Sequence, residues 1–85
     1  MEFTKEERNA IAEFVFSFQA DVLIISDATR LIDVLAAHEL LSDKENWQKR
    51  ITAQDPNVCR ELFEIIGKKI SNEQGKEIMD EYYKG

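Results

Sequence analysis

The chain is short of several residue types, and each shortage excludes a class of protein. One cysteine among 85 residues rules out an internal disulfide framework, and any metal site would have to be built mainly from other ligands. One proline and three glycines, of which Gly67 and Gly75 are internal, leave no linker, repeat or low-complexity segment. The longest apolar run is Val22-Leu23-Ile24-Ile25, too short for a transmembrane helix. The stretch Met1-Glu2-Phe3-Thr4-Lys5-Glu6-Glu7 lacks a basic segment leading into an apolar one, so no secretory signal is expected and a cytoplasmic location is. Cations are the minority charge. Eleven Lys and Arg against 17 Asp and Glu give a formal charge of −6 and a pI near 4.7, which argues against a binder of nucleic-acid phosphates.

What is present suits one small globular domain over residues 1–85. Apolar residues make up 44% and charged residues 33%, an ordinary balance and too apolar for disorder. A chain this short buries only roughly 60–65% of its unfolded surface, so its stability is marginal.

Five helix-starting signatures punctuate the sequence. Thr4-Lys5-Glu6-Glu7, Ser42-Asp43-Lys44-Glu45 and Ser71-Asn72-Glu73-Gln74 fit the capping box. Asp55-Pro56 places an acceptor at the cap and proline at the first helical position, and Ser26-Asp27 is a simpler cap. These predict helices over 5–24, 27–40, 43–53, 56–69 and 72–84, an all-α compact bundle of five to six short helices.

Apolar stripes accompany the caps. In the first helix Ile11, Phe14, Val15, Phe18, Val22 and Ile25 follow three- and four-residue spacing, widened by Phe16, Leu23 and Ile24, which predicts a central position. Ala20–Ile25 is rich in β-branched residues, but no second strand of comparable quality exists to pair with it, so a helix bent near Gln19-Ala20-Asp21 is expected. Phe14, Phe18, Leu35, Leu62 and Phe63 are the expected central core, with Trp47 at its edge. Ile78, Met79, Tyr82 and Tyr83 form the last stripe, with one tyrosine closing the core and the other half exposed.

Groups capable of chemistry are few. His38 would need a converging nucleophile or carboxylate to act as a base, and Glu39 points about 100° away on the helix. Cys59 lies on an apolar stripe beside Val58 and Leu62, where cysteine behaves as a small hydrophobe. Gly67-Lys68-Lys69-Ile70-Ser71 lacks the spacing and preceding strand of a phosphate loop, and no carboxylate spacing resembles a calcium loop. The expectation is a non-enzymatic chain with no catalytic residue, cofactor or metal. Charge carries more: Asp27, Asp33, Asp43 and Glu45 form an acidic set, and Arg8, Arg60, Lys68 and Lys69 a basic one. Solvated helix faces are the plain account; the sharper one is a molecule with oppositely charged faces that binds another protein and can associate head to tail.

The stretch Leu31-Ile32-Asp33-Val34-Leu35, then Leu40-Leu41-Ser42-Asp43-Lys44-Glu45, Ile51, Asp55 and Arg60-Glu61-Leu62-Phe63-Glu64-Ile65-Ile66-Gly67-Lys68-Lys69 resembles a caspase-recruitment domain of the death-fold superfamily. The resemblance spans about residues 26–70. It implies a death-fold-like Greek-key bundle, no catalysis, and homotypic assembly as an adaptor through charged helix faces. The chain departs from the family pattern where a short sixth helix usually follows and at His38-Glu39. The alternative is a small acidic inhibitor or immunity-type protein, bacterial or phage-encoded, that presents carboxylates to a basic nucleic-acid-processing partner. Against it, the tyrosine-rich recognition segment of nuclease immunity proteins is missing and lysines interrupt the acidic residues. Neither reading involves a membrane or direct nucleic-acid binding.

Overall fold

Threonine 4 accepts a hydrogen bond from the Glu7 backbone N–H at 3.1 Å, and the Glu7 carboxylate accepts one from the Thr4 N–H at 2.8 Å, completing the capping box. From this start the computed structural model, which describes residues 2–22 and 25–84, runs through five α-helices. They are α1 (Lys5–Gln19), α2 (Ile25–Ala37), α3 (Lys44–Thr52), α4 (Val58–Lys69) and α5 (Asn72–Lys84), with no strand among the described residues. The radius of gyration is 12.0 Å, matching the roughly 12 Å expected of a compact domain of this length.

Helix α1 is central, as its wide stripe predicts: it packs on α2, α4 and α5, while α3 joins the assembly through α2 and α4. Ile11, Phe14, Leu31, Ile32, Leu35, Leu62 and Ile78 are buried together, and no polar side chain is buried with them among the described residues. Of the expected core, Leu35 and Leu62 are fully enclosed and Phe14 is buried. Phe18 and Phe63 are half-buried and stack on each other at 4.6 Å with an interplanar angle of 11°. Trp47 packs on the edge.

Several boundaries differ from expectation for definable reasons. Helix α1 stops at Gln19 instead of running to 24. The N–H of Val22 donates to the Ser17 carbonyl and that of Asp21 to Phe18, a Schellman closure with Asp21 in the left-handed region at φ 58°. Val22 and Ile25 therefore leave the stripe and are 56% and 48% exposed, and Phe16, at 46%, lies outside it as well. Leu23 and Ile24, which were expected to widen the stripe, fall outside the described residues. Helix α2 begins at Ile25, so Ser26-Asp27 lies inside its first turn and is not its cap. It ends at Ala37 in a second Schellman closure at Glu39, and α3 ends in a third at Gln54.

Two further caps are corrected. Asp43, not Ser42, precedes α3, and its left-handed backbone at φ 58° and ψ 55° aims no side chain at the helix end. Asp55 accepts from the Asn57 N–H at 2.9 Å as an Asx turn, and α4 starts at Val58, two residues later than expected. Ser71 caps as expected, accepting from the Gln74 N–H at 3.1 Å, and α5 keeps its expected span.

Candidate functional site

The four arginines divide sharply. Arg8 on α1 reaches Glu81 on α5 through Nε at 2.9 Å and Nη2 at 3.2 Å, and its Nη1 donates to the Phe3 carbonyl at 2.6 Å. Arg30 pairs with Glu13 at 2.6 Å. Arg50 joins Asp55 and Glu61 while its guanidinium lies 4.8 Å over the Trp47 ring. Arg60 makes one side-chain hydrogen bond, to the amide oxygen of Asn57 at 3.4 Å, and its charge also acts on the Glu61 carboxyl. Among the described residues it is the one arginine without an ion pair.

The basic set thus separates. Arg8 is part of the fold, whereas Arg60, Lys68 and Lys69 remain exposed on α4. Arg60, Glu64, Gly67 and Lys68 form one exposed row by helical spacing, with Glu64 the single carboxylate in it. The acidic set separates too. Asp27 accepts from the Ser17 hydroxyl at 3.0 Å; Asp33 meets Lys44 at 3.0 Å and the Gln48 amide at 3.3 Å. Asp43 and Glu45 are exposed at the entry to α3, and their carboxylates have no hydrogen-bonding or ionic partner among the described residues.

His38 and Cys59 are occupied elsewhere. His38 Nε2 lies 2.9 Å from Glu7 Oε2, and Phe3 packs edge-on against its ring with centroids 4.5 Å apart. Cys59 is buried, and burial pushes its thiol pKa up, away from a reactive thiolate. It lines a cavity of about 300 Å³ with Ile51, Asp55, Pro56 and Val58.

Sequence reasoning passed over two features. One is the Arg50 cluster, whose only signal is an arginine five residues before Asp55 and eleven before Glu61. The Asn57 N–H, then Arg50, hold the Asp55 carboxyl below its ordinary range; Arg50 is the main cause for Glu61. The other is an apolar groove of about 240 Å³ where α4 and α5 diverge over α1. Ile11 and Val15 form its floor, Phe63 and Ile66 one wall, and Ile78 and Met79 the other. Gly67 and Gly75 line it from opposite helices, and a Cβ on either would meet nothing within 4 Å.

The terminal tyrosines behave as expected. Tyr82 is half-buried against the core and Tyr83 is 62% exposed, and with Phe16 they form a cluster whose ring centroids lie 5.8–6.4 Å apart.

Comparison with protein-family models, with curated proteins and with solved structures finds no match to this chain.

Proposed function

We propose that this domain is a non-enzymatic protein–protein interaction module that uses oppositely charged helix faces, α4 supplying the cations and the α2–α3 corner the carboxylates. The observation that carries the reading is Arg60: three arginines are ion-paired to carboxylates within the chain, and the fourth makes one long bond to Asn57 and no ion pair among the described residues. A guanidinium left exposed on a regular helix is suited to bidentate pairing with a partner's carboxylate. Lys68 lies two turns along the same row. Asp43 and Glu45 offer the complementary charge for a second copy, which is the homotypic, death-fold-like form of the proposal. The acidic-inhibitor alternative has less support, because Asp27 and Asp33 already hold partners inside the fold.

Exposed pairs contribute only about 0–1 kcal/mol each, so several act together and association weakens with salt. Sedimentation at low salt tests the homotypic form. Arg60→Glu alone and Asp43→Lys with Glu45→Lys alone should each stay monomeric, and mixing the two should restore assembly. Wild-type protein that remains monomeric at millimolar concentration and low salt would overturn it.

A further inference from the structure

We infer that the groove between α4 and α5 binds an acidic amphipathic helix of a partner protein. The inference rests on the preceding reading for the α4 face and gives its partner a chemical class.

Three observations converge on this occupant. The groove is apolar and open, and both glycines of its walls leave room unused by the chain itself. Glycine is a poor interior helix residue, yet Gly67 and Gly75 sit inside α4 and α5 with nothing of the chain within 4 Å of their missing Cβ positions. Their smallness therefore serves space and not the chain's own packing. The borders of the groove are cationic. On the α4 side the exposed row is Arg60, Glu64, Gly67 and Lys68; on the α5 side it is Asn72, Lys76 and Tyr83. Arg60 and Lys76 outnumber Glu64 beside the lining residues, in a chain whose net charge is −6; Lys68 points at least about 100° around α4 from them. The exposed acids of α5, Glu73, Glu77, Asp80 and Glu81, point at least about 100° around the helix from Gly75 and Met79.

A helix laid in such a groove would bury an i, i+3, i+4, i+7 stripe on Phe63, Ile66 and Met79 and place flanking carboxylates against Arg60 and Lys76. Potential complementarity of this kind selects the partner's sign, since a basic helix would face like charges.

The test is selection from a phage-displayed library of peptides of about 16 residues, some four helical turns, against the intact chain. Enriched peptides should carry an apolar stripe at helical spacing flanked by Asp or Glu, and should shift the amide resonances of Ile66, Gly67, Gly75 and Met79. Gly75→Leu and Gly67→Leu fill the groove where there is room, so the variants should keep their amide spectra and, with a better helix former in each helix, melt at or above the wild-type midpoint. Each should weaken binding of a selected peptide at least tenfold. Arg60→Glu should weaken it about tenfold, more at low salt than at high.

Enrichment of no peptide, or of peptides without acidic residues, would overturn the inference. So would binding indifferent to both leucine variants; if that binding still fell with Arg60→Glu, the charged-face reading would stand without the groove. Binding lost in the leucine variants but indifferent to Arg60→Glu and to salt would overturn the acidic partner. Self-association abolished by Gly75→Leu would assign the groove to a second copy instead.

Discussion

Nε2 of His38 lies 2.9 Å from Oε2 of Glu7, so the glutamate that closes the capping box of α1 also holds the chain just past the end of α2. The two Glu7 oxygens divide the work, Oε1 accepting from the Thr4 N–H and Oε2 facing the imidazole. The Thr4 N–H first, then His38, draw the Glu7 pKa below its ordinary value against the opposing effect of burial. A carboxyl with a lowered folded pKa stabilises the fold fully above its unfolded value, about 4.3, and loses that contribution as pH falls through the folded one. Glu7→Gln should therefore be less stable than wild type at pH 6 and lose less stability between pH 5 and pH 3. Urea midpoints measured across that range check this; parallel curves would show that Glu7 is not a source of acid sensitivity.

The Arg50 cluster separates two carboxylates that share one guanidinium. Asp55 is lowered chiefly by the Asn57 N–H, and Glu61 chiefly by Arg50. In Arg50→Met, the Glu61 carboxyl should return most of the way to the usual glutamate range, while Asp55 stays below the usual aspartate range. Carboxyl-carbon chemical shifts followed against pH report both groups in one sample. Equal movement of the two would contradict the assignment of causes. Acid stability should also fall less steeply in this variant, since one depressed carboxyl has been released.

Caps give a discriminating set of alanine substitutions. Thr4→Ala and Ser71→Ala each remove an acceptor that holds a helix-end N–H, at 3.1 Å in both cases, and should cost about 0.5–2 kcal/mol. Ser42→Ala removes no helix cap, because Asp43 precedes α3 in a left-handed conformation, and should stay within about 0.5 kcal/mol of wild type. Thermal unfolding distinguishes them readily, as 1 kcal/mol moves the midpoint of a domain this size by about 4–8 °C.

Much of the fold was legible in the sequence because local signals and apolar spacing agree. Thr4 and Ser71 cap where their motifs stand, and Leu31, Ile32 and Leu35 of α2, Val58, Cys59 and Leu62 of α4 and Ile78 of α5, at helical spacing, face the core. The helix ends were not legible. A Schellman closure is usually announced by glycine, and here Asp21, Glu39 and Gln54 occupy the left-handed position instead. Without glycine or proline at residues 20–24, the apolar run continued the helical pattern past the true end of α1. The candidate site was legible only as a list of charges. Which of them the fold consumes depends on pairs far apart in sequence, such as Arg8 with Glu81, and no local pattern encodes that. The groove escaped for a related reason: it arises from the divergence of two helices, whereas spacing describes one helix at a time.

Those three closures also define where the chain carries relievable strain. A left-handed conformation costs a non-glycine residue roughly 1–2 kcal/mol, partly offset in the comparison by glycine's greater unfolded-state freedom. Glu39→Gly and Gln54→Gly should each stabilise by about 0.5–1 kcal/mol, and the pair should be near additive because the sites share no partner. Both residues are exposed, so no packing is lost. Urea unfolding at neutral pH measures the gain. Destabilisation by either change would mean that its side chain contributes more than the strain costs.

Arg8 and Arg60 look alike in the sequence, each an arginine in the first turns of an amphipathic helix, but they differ in what reversal removes. Arg8→Glu deletes the link between α1 and α5, places a carboxylate opposite Glu81, and leaves the Phe3 carbonyl without its donor. The loss of a part-buried hydrogen bond together with the ion pair should lower stability by about 1–2 kcal/mol. Arg60→Glu removes one 3.4 Å bond to Asn57 and should change stability by less than about 0.5 kcal/mol. It replaces a cation beside Glu61 and Glu64 with a third acid, so any cost should shrink as salt rises. Denaturation midpoints of both variants at low and at high salt decide the matter. If Arg60→Glu proves as destabilising as Arg8→Glu at both salt concentrations, Arg60 is a structural residue and its exposure on α4 no longer marks a binding face.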